Sequence, residues 1–551
     1  MGAMNPTKDW IFDEGVRSRV DRVFAAWDST ATPGCALGIY REGEIVYTRG
    51  YGMSNLEHGI PIATDSIFHI ASISKQFTDM CIALLAAEGA LSVDDDVRLY
   101  VPEVPDFGPT ITIRHLIHHV SGLRDQWSLL ELAGWREEDL VTERDVMDLL
   151  TRQTALNFEP NTEYLYSNTG YTLLAVIVRR VSGRSLREFA QERIFGPLGM
   201  TRTHFHDDHS EIVPGRTQAY TPRAGGGYHI SVPEFDVVGT TSLFTTVEDL
   251  ARWDANFTSA RIGGPDLIAQ LQTPGTFADG TSMTYAWGLV VDTYRGARQI
   301  GHGGADHGYR SDYFRLPEFG LTVTVLSNVS DSGPHQLAQQ VADAVLGDLL
   351  APATGEAIAT VVRERIPAII EPSALAGVFH DDEHDSYLTL ASRDGKAWIE
   401  LDESLALADA GNGRWTLPAP WNLAIEAVDQ ETDGQVRQLQ LSFAGSETPY
   451  TRIDRTHPAA SELDAYAGTY WSDELMVPYE IVADHASGTL TVRRRKHEDQ
   501  TFVPLARDVF GRGSTRFGAT LTFERGKRGS IAGFLFTAGR VRNLRFTRRD
   551  M

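Results

Sequence analysis

The sequence predicts an α+β fold over roughly its first 350 residues, followed by a β-rich remainder. Three features lead to this prediction. A β-hairpin pattern at 33–48 precedes a helix that begins near residue 72, and helical periodicity then dominates to about residue 200. Strand-like runs return at 285–291 and 321–328 before a last helix at about 335–350. Strands and helices grouped in this way are typical of the α+β class.

Length and charge limit the classes of protein to which the chain can belong. Its 551 residues, 42% hydrophobic and 23% charged, are too many for one compact core, so we expect two or three domains. The formal net charge of −24 makes nucleic acid and anionic membrane surfaces poor partners. Cys35 and Cys81 are the only cysteines, which favours a reduced compartment and leaves one bridge between them open.

The chain carries no obvious targeting segment. No apolar run approaches the ~20 residues that span a bilayer, and the N-terminus lacks the basic and apolar regions of a secretory signal. The stretch Met1-Gly-Ala-Met4 resembles the remnant of a tag placed ahead of a second starting methionine. We therefore expect a cytoplasmic protein, with a secreted or periplasmic location left open if a leader has been trimmed.

One helix start combines two residues with the chemistry of acyl transfer. Ser72 lies three residues before Lys75 at the start of a predicted helix that ends near Gly89. This spacing places both side chains on one helical face, where an amine can take the proton of a hydroxyl. A serine is a weak nucleophile until a base takes its proton, and a lysine in a dry pocket loses basicity. Taken alone, the pattern also fits a capped surface helix.

Two later motifs favour the catalytic interpretation. Tyr166-Ser-Asn168 precedes a helix-like run, and Gly301-His-Gly-Gly304 precedes a strand-like run. In this order and spacing the three motifs resemble those of the penicillin-recognising serine hydrolases, and the tyrosine-first middle motif resembles that of the class C β-lactamase branch. The resemblance extends over about 14–350 and implies that the early and late strands meet in one antiparallel sheet, with a helical insert between them. The same family resemblance is found in the stretches 111–123, 195–200 and 239–246.

The C-terminal part contains an internal repeat. The stretch Leu375-Ala-Gly-Val-Phe-His-Asp-Asp-Glu383 is echoed by Tyr466-Ala-Gly-Thr-Tyr-Trp-Ser-Asp-Glu474, 91 positions later, which predicts two small antiparallel β-barrels. A catalytic domain followed by two barrels resembles the bacterial D-aminopeptidases, whose last barrel sends a loop toward the active site; the segment 493–513 is the candidate for that loop. We expect a tag or N-terminal extension, a serine hydrolase domain, a linker and two β-barrel domains at 1–12, 13–352, 353–370, 371–456 and 461–551.

The resemblance and the chemistry together assign roles to five residues. Ser72 is the expected nucleophile, Lys75 the base that activates it, and Tyr166 the proton shuttle toward the leaving group. Asn168 is expected to hold Lys75 and the substrate amide by hydrogen bonds. By resemblance, the backbone N–H groups of Ser72 and Ala305 form the oxyanion hole.

The third motif departs from the pattern of the penicillin-binding proteins, which have a lysine where this chain has His302. A histidine is mostly neutral at pH 7, so we expect weaker recognition of a substrate carboxylate and a preference for amide, peptide or ester substrates. Gly303 and Gly304 are expected to line the substrate site beside it. Arg310 could restore a carboxylate contact, or form a structural salt bridge instead.

Two acids are candidates for binding a substrate ammonium. Asp125 and Asp306 lie in or next to the motifs, although either could be an ordinary surface carboxylate in a chain with 74 acidic residues. A further polar stretch, from His204 and His206 through Asp207 and Asp208 to His209, could ligate a metal or form a polar loop. We interpret it as a loop and expect neither metal nor cofactor.

The leading hypothesis is a serine hydrolase of D-aminopeptidase type that cleaves amide or peptide bonds through an acyl-enzyme. An esterase or lactonase with the same site is the first alternative. A penicillin-binding sensor or weakly catalytic binding protein is an alternative of another class. The expected partner is a small peptide, amide or ester substrate, and a homodimer is left open.

Overall fold

A six-stranded antiparallel sheet joins the two ends of the N-terminal region, as the resemblance implies. The computed structural model describes residues 10–352, 370–383, 386–401, 404–417, 423–431, 433–443, 446–456, 458–514 and 518–549. The sheet has the order β3-β4-β5-β6-β1-β2, so the first strand pairs with the last. Its strands are β1 Cys35–Arg41, β2 Glu44–Tyr51, β3 Val290–Tyr294, β4 Ala297–Asp306, β5 Tyr309–Leu316 and β6 Leu321–Ser327.

The predicted hairpin joins β1 and β2. Glu42 and Gly43 both have positive φ, the combination that a tight two-residue hairpin turn requires. Every residue of β6 is buried, which its run of Val, Leu and Thr favours in a central strand covered on both faces.

Helices cover this sheet and fill the stretch between its early and late strands. The first and last of them, α1 and α11, pack against each other, and α11 lies on β5 and β6, where Val323 and Val325 share one core with Val16, Val20 and Val341. The helices are α1 Glu14–Val23, α2 Lys75–Ala87, α3 Ile113–Ile117, α4 Gln126–Leu132, α5 Glu143–Leu150, α6 Asn168–Ser182, α7 Leu186–Ala190, α8 Gly196–Leu198, α9 Val247–Ser259, α10 Gly264–Leu271 and α11 Pro334–Leu346. Short strands accompany them at Met53–Asn55, Ile60–Pro61, Phe68–His69, Val141–Thr142, His204–Phe205, Tyr220–Pro222, Tyr228–Ile230, Phe235–Asp236 and Leu243–Thr245.

The helix predicted at Ser72 is present. A short 3₁₀ turn, Ala71–Ser74, leads directly into α2, whose residues from Lys75 to Leu85 are all buried. It ends at Ala87, and Gly89 has positive φ, as a helix C-terminus favours. Since α2 packs against α6, the starts of the two helices bring Lys75 and Asn168 together.

The C-terminal part forms two β-structures, in agreement with the predicted pair of barrels. The last is a closed eight-stranded barrel and the one before it is a nine-stranded antiparallel sheet, counted over the described residues. The nine strands are Gly377–Asp381, Ser386–Arg393, Lys396–Glu400, Ser404–Ala406, Ala408–Gly411, Arg414–Leu417, Leu423–Gln430, Val436–Phe443 and Ser446–Ile453. Those of the closed barrel are Gly468–Ser472, Val477–Asp484, Thr489–Arg493, Gln500–Ala506, Val509–Arg512, Ala519–Arg525, Ile531–Ala538 and Val541–Arg549.

The repeat found in the sequence corresponds to a local structure that occurs twice, once in each β-structure. Each copy has a short helix, Pro372–Leu375 or Ala460–Tyr466, directly before its first strand. In the first copy Arg452 donates to the carbonyl oxygens of Ala374 and Ala376. In the second copy Arg548 donates to the carbonyl oxygens of Ala465 and Ala467. These two alanines lie 91 positions after Ala374 and Ala376. An arginine from a later strand thus satisfies the end of the entry helix in both copies.

The described residues belong to two structural units. The first draws on the ranges Met1–Gln126, Glu137–Thr151 and Phe158–Ala357, and the second on Trp127–Arg136, Arg152–Asn157 and Ile358–Met551. Within the second unit the Tyr479 hydroxyl donates to the carbonyl oxygen of Leu132 at 2.8 Å. No pattern in the sequence indicates that 127–136 and 152–157 belong to the same unit as the last barrel.

The predicted domain boundaries stay predictions. Residues 1–9 of the proposed extension and 353–369 of the proposed linker lie outside the described part of the chain. The segment 493–513, our candidate for a long loop, instead contributes the strands Gln500–Ala506 and Val509–Arg512 to the closed barrel.

Two smaller expectations can be compared with the structure. Cys35 and Cys81 are both free thiols and fully buried, so the bridge left open by the sequence is not formed. Burial raises the pKa of Cys35 to about 12, which makes its thiolate rare at neutral pH. Among the helices of the described residues, none has the length and apolar content needed to cross a bilayer.

Candidate active site

The turn that carries Ser72 is held in a strained shape. Ala71, directly before it, has φ of +48°, a conformation that costs a residue with a Cβ about 1–3 kcal/mol. Hydrogen bonds from neighbouring groups maintain the turn: Ala71 N donates to His69 Nδ1, Ser74 Oγ donates to the carbonyl oxygen of Ala71, and Ser311 Oγ donates to that of Ile70. Ser72 itself stays partly exposed, so its hydroxyl can meet a substrate.

Lys75 reaches back from the first turn of α2 to Ser72. Its Nζ lies 3.1 Å from Ser72 Oγ, 3.0 Å from Asn168 Oδ1 and 2.7 Å from the carbonyl oxygen of Thr240. The side chain is fully buried, and Nζ lies 4.8 Å from the centre of the Tyr166 ring. An ammonium has three donors for these three oxygens, while a neutral amine can accept the Ser72 proton. The site can therefore hold Lys75 in both of its protonation states.

Asp125 fixes the direction in which the Asn168 amide points. Its Oδ2 accepts from the backbone N of Asn168 at 2.7 Å and from Nδ2 at 2.9 Å. Because Nδ2 is committed to the carboxylate, Oδ1 faces Lys75, where it also accepts from the Thr240 hydroxyl. Asp125 is fully buried, a position that favours a positioning role over the substrate contact for which the sequence made it a candidate.

We expect Asp125→Ala to lower kcat by about 10–100-fold with little change in KM, because Asn168 loses its orientation while the exposed site is kept. Stability should also fall, since two buried donors are left unpaired at about 1–3 kcal/mol each. Steady-state kinetics well below the thermal midpoint measure the first effect. Asp254→Ala is the matched control, because Asp254 is as deeply buried and accepts from Tyr313 and Arg315 in the sheet. Equal losses of kcat in both variants would contradict the positioning role.

Tyr166 is held by aromatic packing at the far side of Lys75. Its ring centre lies 4.1 Å from that of His119 and 6.2 Å from that of His302. His119 has positive φ, and its Nδ1 accepts from the backbone N of Ser167 at 3.1 Å. His119 therefore positions the second motif through this hydrogen bond and through its ring contact with Tyr166.

A second buried acid, Asp79, lies near Lys75. The Tyr171 hydroxyl lies 2.7 Å from Asp79 Oδ2 and 2.9 Å from the carbonyl oxygen of Ile117, and one proton cannot serve both. Burial raises the pKa of Asp79 well above its ordinary value, against the opposing effects of Tyr171 and Lys75. The raised pKa favours the neutral form of Asp79, in which the acid can donate to Tyr171 while Tyr171 donates to Ile117. The acid one helical turn beyond Lys75 thus stabilises the ammonium form of Lys75 less than an acid with an ordinary pKa would.

His302 is a neutral side chain in this site. Burial, together with the Lys75 charge, lowers its pKa to about 4. Nδ1 lies 2.5 Å from the carbonyl oxygen of Gly303, which can only accept, so Nδ1 carries the proton. Nε2 then accepts from the Tyr285 hydroxyl at 3.1 Å. The ring provides no cation for a substrate carboxylate, as expected from the absence of a lysine.

The strand that carries the third motif has an open edge beside Ser72. Among the described pairings, β3 accompanies β4 only as far as Gly301, whereas β5 follows it to Asp306. A Cβ at Gly304 would lie 2.3 Å from the carbonyl oxygen of Ile70, so only glycine allows this close approach to the Ser72 turn. Gly303 and Ala305 are exposed on β4. The geometry is compatible with an oxyanion contact from Ala305 N, which stays a prediction.

Asp306 ends this edge in a polar cluster. Its carboxylate accepts from Thr241 Oγ1 at 2.7 Å and from His307 Nδ1 at 2.9 Å. Burial alone would raise the pKa of Asp306, but the His307 hydrogen bond and the charges of His69 and His307 outweigh it and lower the pKa. Arg310 directs Nη1 at the carbonyl oxygens of His307 and Tyr309. Its contact with a substrate carboxylate stays a prediction.

Comparison with known proteins places this site in a family. The Beta-lactamase family matches residues 20–347, which include all three motifs. The chain belongs to the beta-lactamase family. The D-aminopeptidase of Gluconobacter oxydans strain 621H is 30% identical to it over 450 residues, 80% of each chain. That of Brucella anthropi is 28% identical over 406 residues, 74% of this chain and 71% of the other.

Comparison with solved structures shows that the fold is shared. The octameric penicillin-binding protein homologue from Pyrococcus abyssi gives a TM-score of 0.54 at 22% identity, covering 79% of this chain and 99% of its own. In this family member the sequence motifs locate the Ser72, Lys75, Tyr166 and Asn168 cluster. They gave no indication of the Thr240 carbonyl, because a backbone acceptor leaves no side-chain signal.

Proposed function

We propose that this protein is a serine hydrolase of D-aminopeptidase type that acts through an acyl-enzyme on Ser72. The contact between Lys75 Nζ and Ser72 Oγ at 3.1 Å carries the proposal, because it couples a buried amine to a partly exposed hydroxyl. The D-aminopeptidase relatives support the choice of substrate class.

The chemistry begins with a neutral Lys75. As Ser72 Oγ attacks the substrate carbonyl carbon, its proton passes to Lys75 Nζ and the carbonyl electron pair moves to oxygen. Backbone N–H groups of Ser72 and Ala305 receive that oxyanion. Lys75, now an ammonium, donates to Asn168 Oδ1 and the Thr240 carbonyl, so the new charge is solvated inside the protein.

Collapse of the tetrahedral intermediate breaks the bond to the leaving amine. Tyr166 passes a proton to that amine and regains one from Lys75, whose Nζ lies beside the tyrosine ring. Water then attacks the ester on Ser72 with its proton taken along the same path, which restores the hydroxyl and releases the acid. No cofactor is needed to balance these steps.

The charge of the site favours a substrate with a free amino group over one with a free carboxylate. His302 is neutral and its Nε2 is engaged by Tyr285. Asp306, by contrast, has a lowered pKa and stays ionised, and it follows exposed Ala305 on the open edge of β4. A carboxylate in this place suits the ammonium group of an N-terminal residue.

We expect His302→Lys to raise kcat/KM by about tenfold for a cephalosporin with a free carboxylate, because one charge-assisted hydrogen bond is worth about 1.5–3 kcal/mol before the cost of placing a second cation near Lys75. A D-alanine anilide without a carboxylate should not gain. Kinetics on the two substrates measure the difference. An equal gain for both would show that His302 does not set carboxylate recognition.

The proposal is tested with D- and L-alanine p-nitroanilides, a short-chain p-nitrophenyl ester and a chromogenic cephalosporin. Faster cleavage of the D-anilide than of its L partner is the expected result. Turnover of the ester alone would move the protein to the esterase or lactonase class. Stable acylation by the cephalosporin without turnover of any substrate would make it a penicillin-binding sensor.

A further inference from the structure

Two histidine side chains in the first unit lie on one face of a short strand. His204 and Phe205 pair with Phe244 and Leu243, and Phe205 is fully buried. Residues two apart in an extended segment point to the same side, so His204 and His206 lie together. Both rings contact Phe244, with ring centres at 5.8 and 4.7 Å, and the backbone N of His206 donates to Ser242.

Three of their four ring nitrogens are buried without hydrogen bonds to the residues that the structure describes. Nε2 of His204 and both ring nitrogens of His206 have no hydrogen-bond partner among the residues that the structure describes, although the His206 side chain is only 6% exposed. Buried polar atoms in native proteins are nearly always paired, and an exception requires an explanation. At least one nitrogen of each neutral ring has a lone pair and no proton, which is the state that binds a metal.

Glu211 provides an oxygen at the same place. One ligand atom from each of His204, His206 and Glu211 lies within 4.8 Å of the others, and Glu211 Oε2 is 3.7 Å from His206 Nδ1. Arg187 donates to both Glu211 oxygens, at 2.6 and 2.8 Å. Each carboxylate oxygen has two lone pairs, so the guanidinium orients Glu211 and leaves a lone pair on each oxygen for a cation.

Nearby charges both oppose and favour a cation here. Arg187 is positive, and the positive charge of Arg216 lowers the pKa of His206. Glu211 and Asp207 are negative, and both accept hydrogen bonds from Arg187. The negative charges of the two acids thus offset the positive charges of the two arginines. The kinds of ligand atom therefore determine which metal ion suits the site.

We propose that His204, His206 and Glu211 bind a divalent transition metal ion of the Zn²⁺ class. Two imidazole nitrogens and one carboxylate oxygen suit Zn²⁺ or Co²⁺ and do not suit Mg²⁺ or Ca²⁺, which prefer oxygen ligands. Three protein ligands leave a position for water. The sequence favoured a polar loop for this stretch, but a loop does not explain three unpaired buried nitrogens.

The test uses the full chain, freed of metal by chelation and dialysis. Titration with Co²⁺ alone, followed by visible absorption, should show one equivalent bound with the spectrum of a nitrogen and oxygen site. Zn²⁺ alone should displace it. His206→Gln should weaken binding by at least about 100-fold, since loss of a direct ligand exceeds the 10–100-fold effect of outer residues.

His209→Gln is the matched control, because His209 follows in the same stretch and bonds to Asp236 instead. It should bind Co²⁺ as the parent does. The proposal is overturned if the parent binds no stoichiometric metal, if His206→Gln binds as tightly as the parent, or if His209→Gln loses binding equally.

A second variant and a second measurement distinguish a loss of metal binding from a loss of folding. Arg187→Gln removes the guanidinium that orients Glu211, so it should weaken Zn²⁺ binding by about 10–100-fold, less than His206→Gln does. Thermal melts add a readout on the same samples: Zn²⁺ should raise the midpoint of the parent and leave that of His206→Gln unchanged. A midpoint shift of the same size in both proteins would contradict the assignment.

Discussion

Ser72→Ala is expected to reduce hydrolysis of every substrate by about 10⁴–10⁶-fold, because the proposed acyl-enzyme forms on the Ser72 hydroxyl. Substrate should still bind, since the open edge of β4 and Asp306 are untouched. The measurement is kcat/KM on the D-alanine anilide together with binding of the same compound at equilibrium. The expected loss is the same for an amide and for an ester, because both pass through Ser72.

The control for this variant is Ser182→Ala at the last turn of α6, where the hydroxyl donates to the carbonyl oxygen of Val178. It should retain full activity. If Ser72→Ala hydrolyses substrates as fast as the parent, the nucleophile is another residue. If the parent itself binds without turnover, the protein is a sensor.

Lys75→Met is expected to lower the rate of acylation by about 10³–10⁵-fold, as is usual when a coupled nucleophile and base lose one member. Methionine keeps the apolar stem that fills the buried site and removes only the amine. Single-turnover kinetics with a p-nitrophenyl ester measure acylation directly, free of product release. Lys396→Met, at an exposed lysine in the second unit, is the control and should be unchanged. Acylation retained in Lys75→Met would exclude Lys75 as the base.

Local spacing made most of the active site predictable. Ser72 and Lys75 are three residues apart on one turn, and Tyr166 and Asn168 flank the start of α6, so each pair is close in any structure with these helices. The order of strands in the sheet was available only through the resemblance, because pairing of β1 with β6 joins residues nearly 300 positions apart. No local pattern encodes such a contact.

Functions that depend on tertiary contacts were missed or misplaced. Asp125 was a candidate for substrate binding, yet it lies behind Asn168 and orients its amide. The Thr240 carbonyl and the Tyr285 hydroxyl come from segments far along the chain and complete the surroundings of Lys75 and His302. Burial also matters: the ordinary histidine pKa predicted a mostly neutral His302, and the buried site lowers that pKa further.

Prediction from the sequence is limited in a similar way for the C-terminal part of the chain. The 91-residue repeat correctly indicated two β-structures, because each copy begins with the same helix and strand. The packing of 127–136 and 152–157 within the second unit left no such trace, since these segments have no repeat or unusual composition.

The central claim is that Ser72 carries the acyl group during turnover. Intact mass spectrometry after rapid acid quench of the protein with excess D-alanine p-nitrophenyl ester tests it most directly. We predict a mass increase of one alanyl group, located by digestion to the peptide that contains Ser72 and absent from Ser72→Ala. Turnover with the alanyl group on any other residue, or an adduct that persists in Ser72→Ala, would contradict the account.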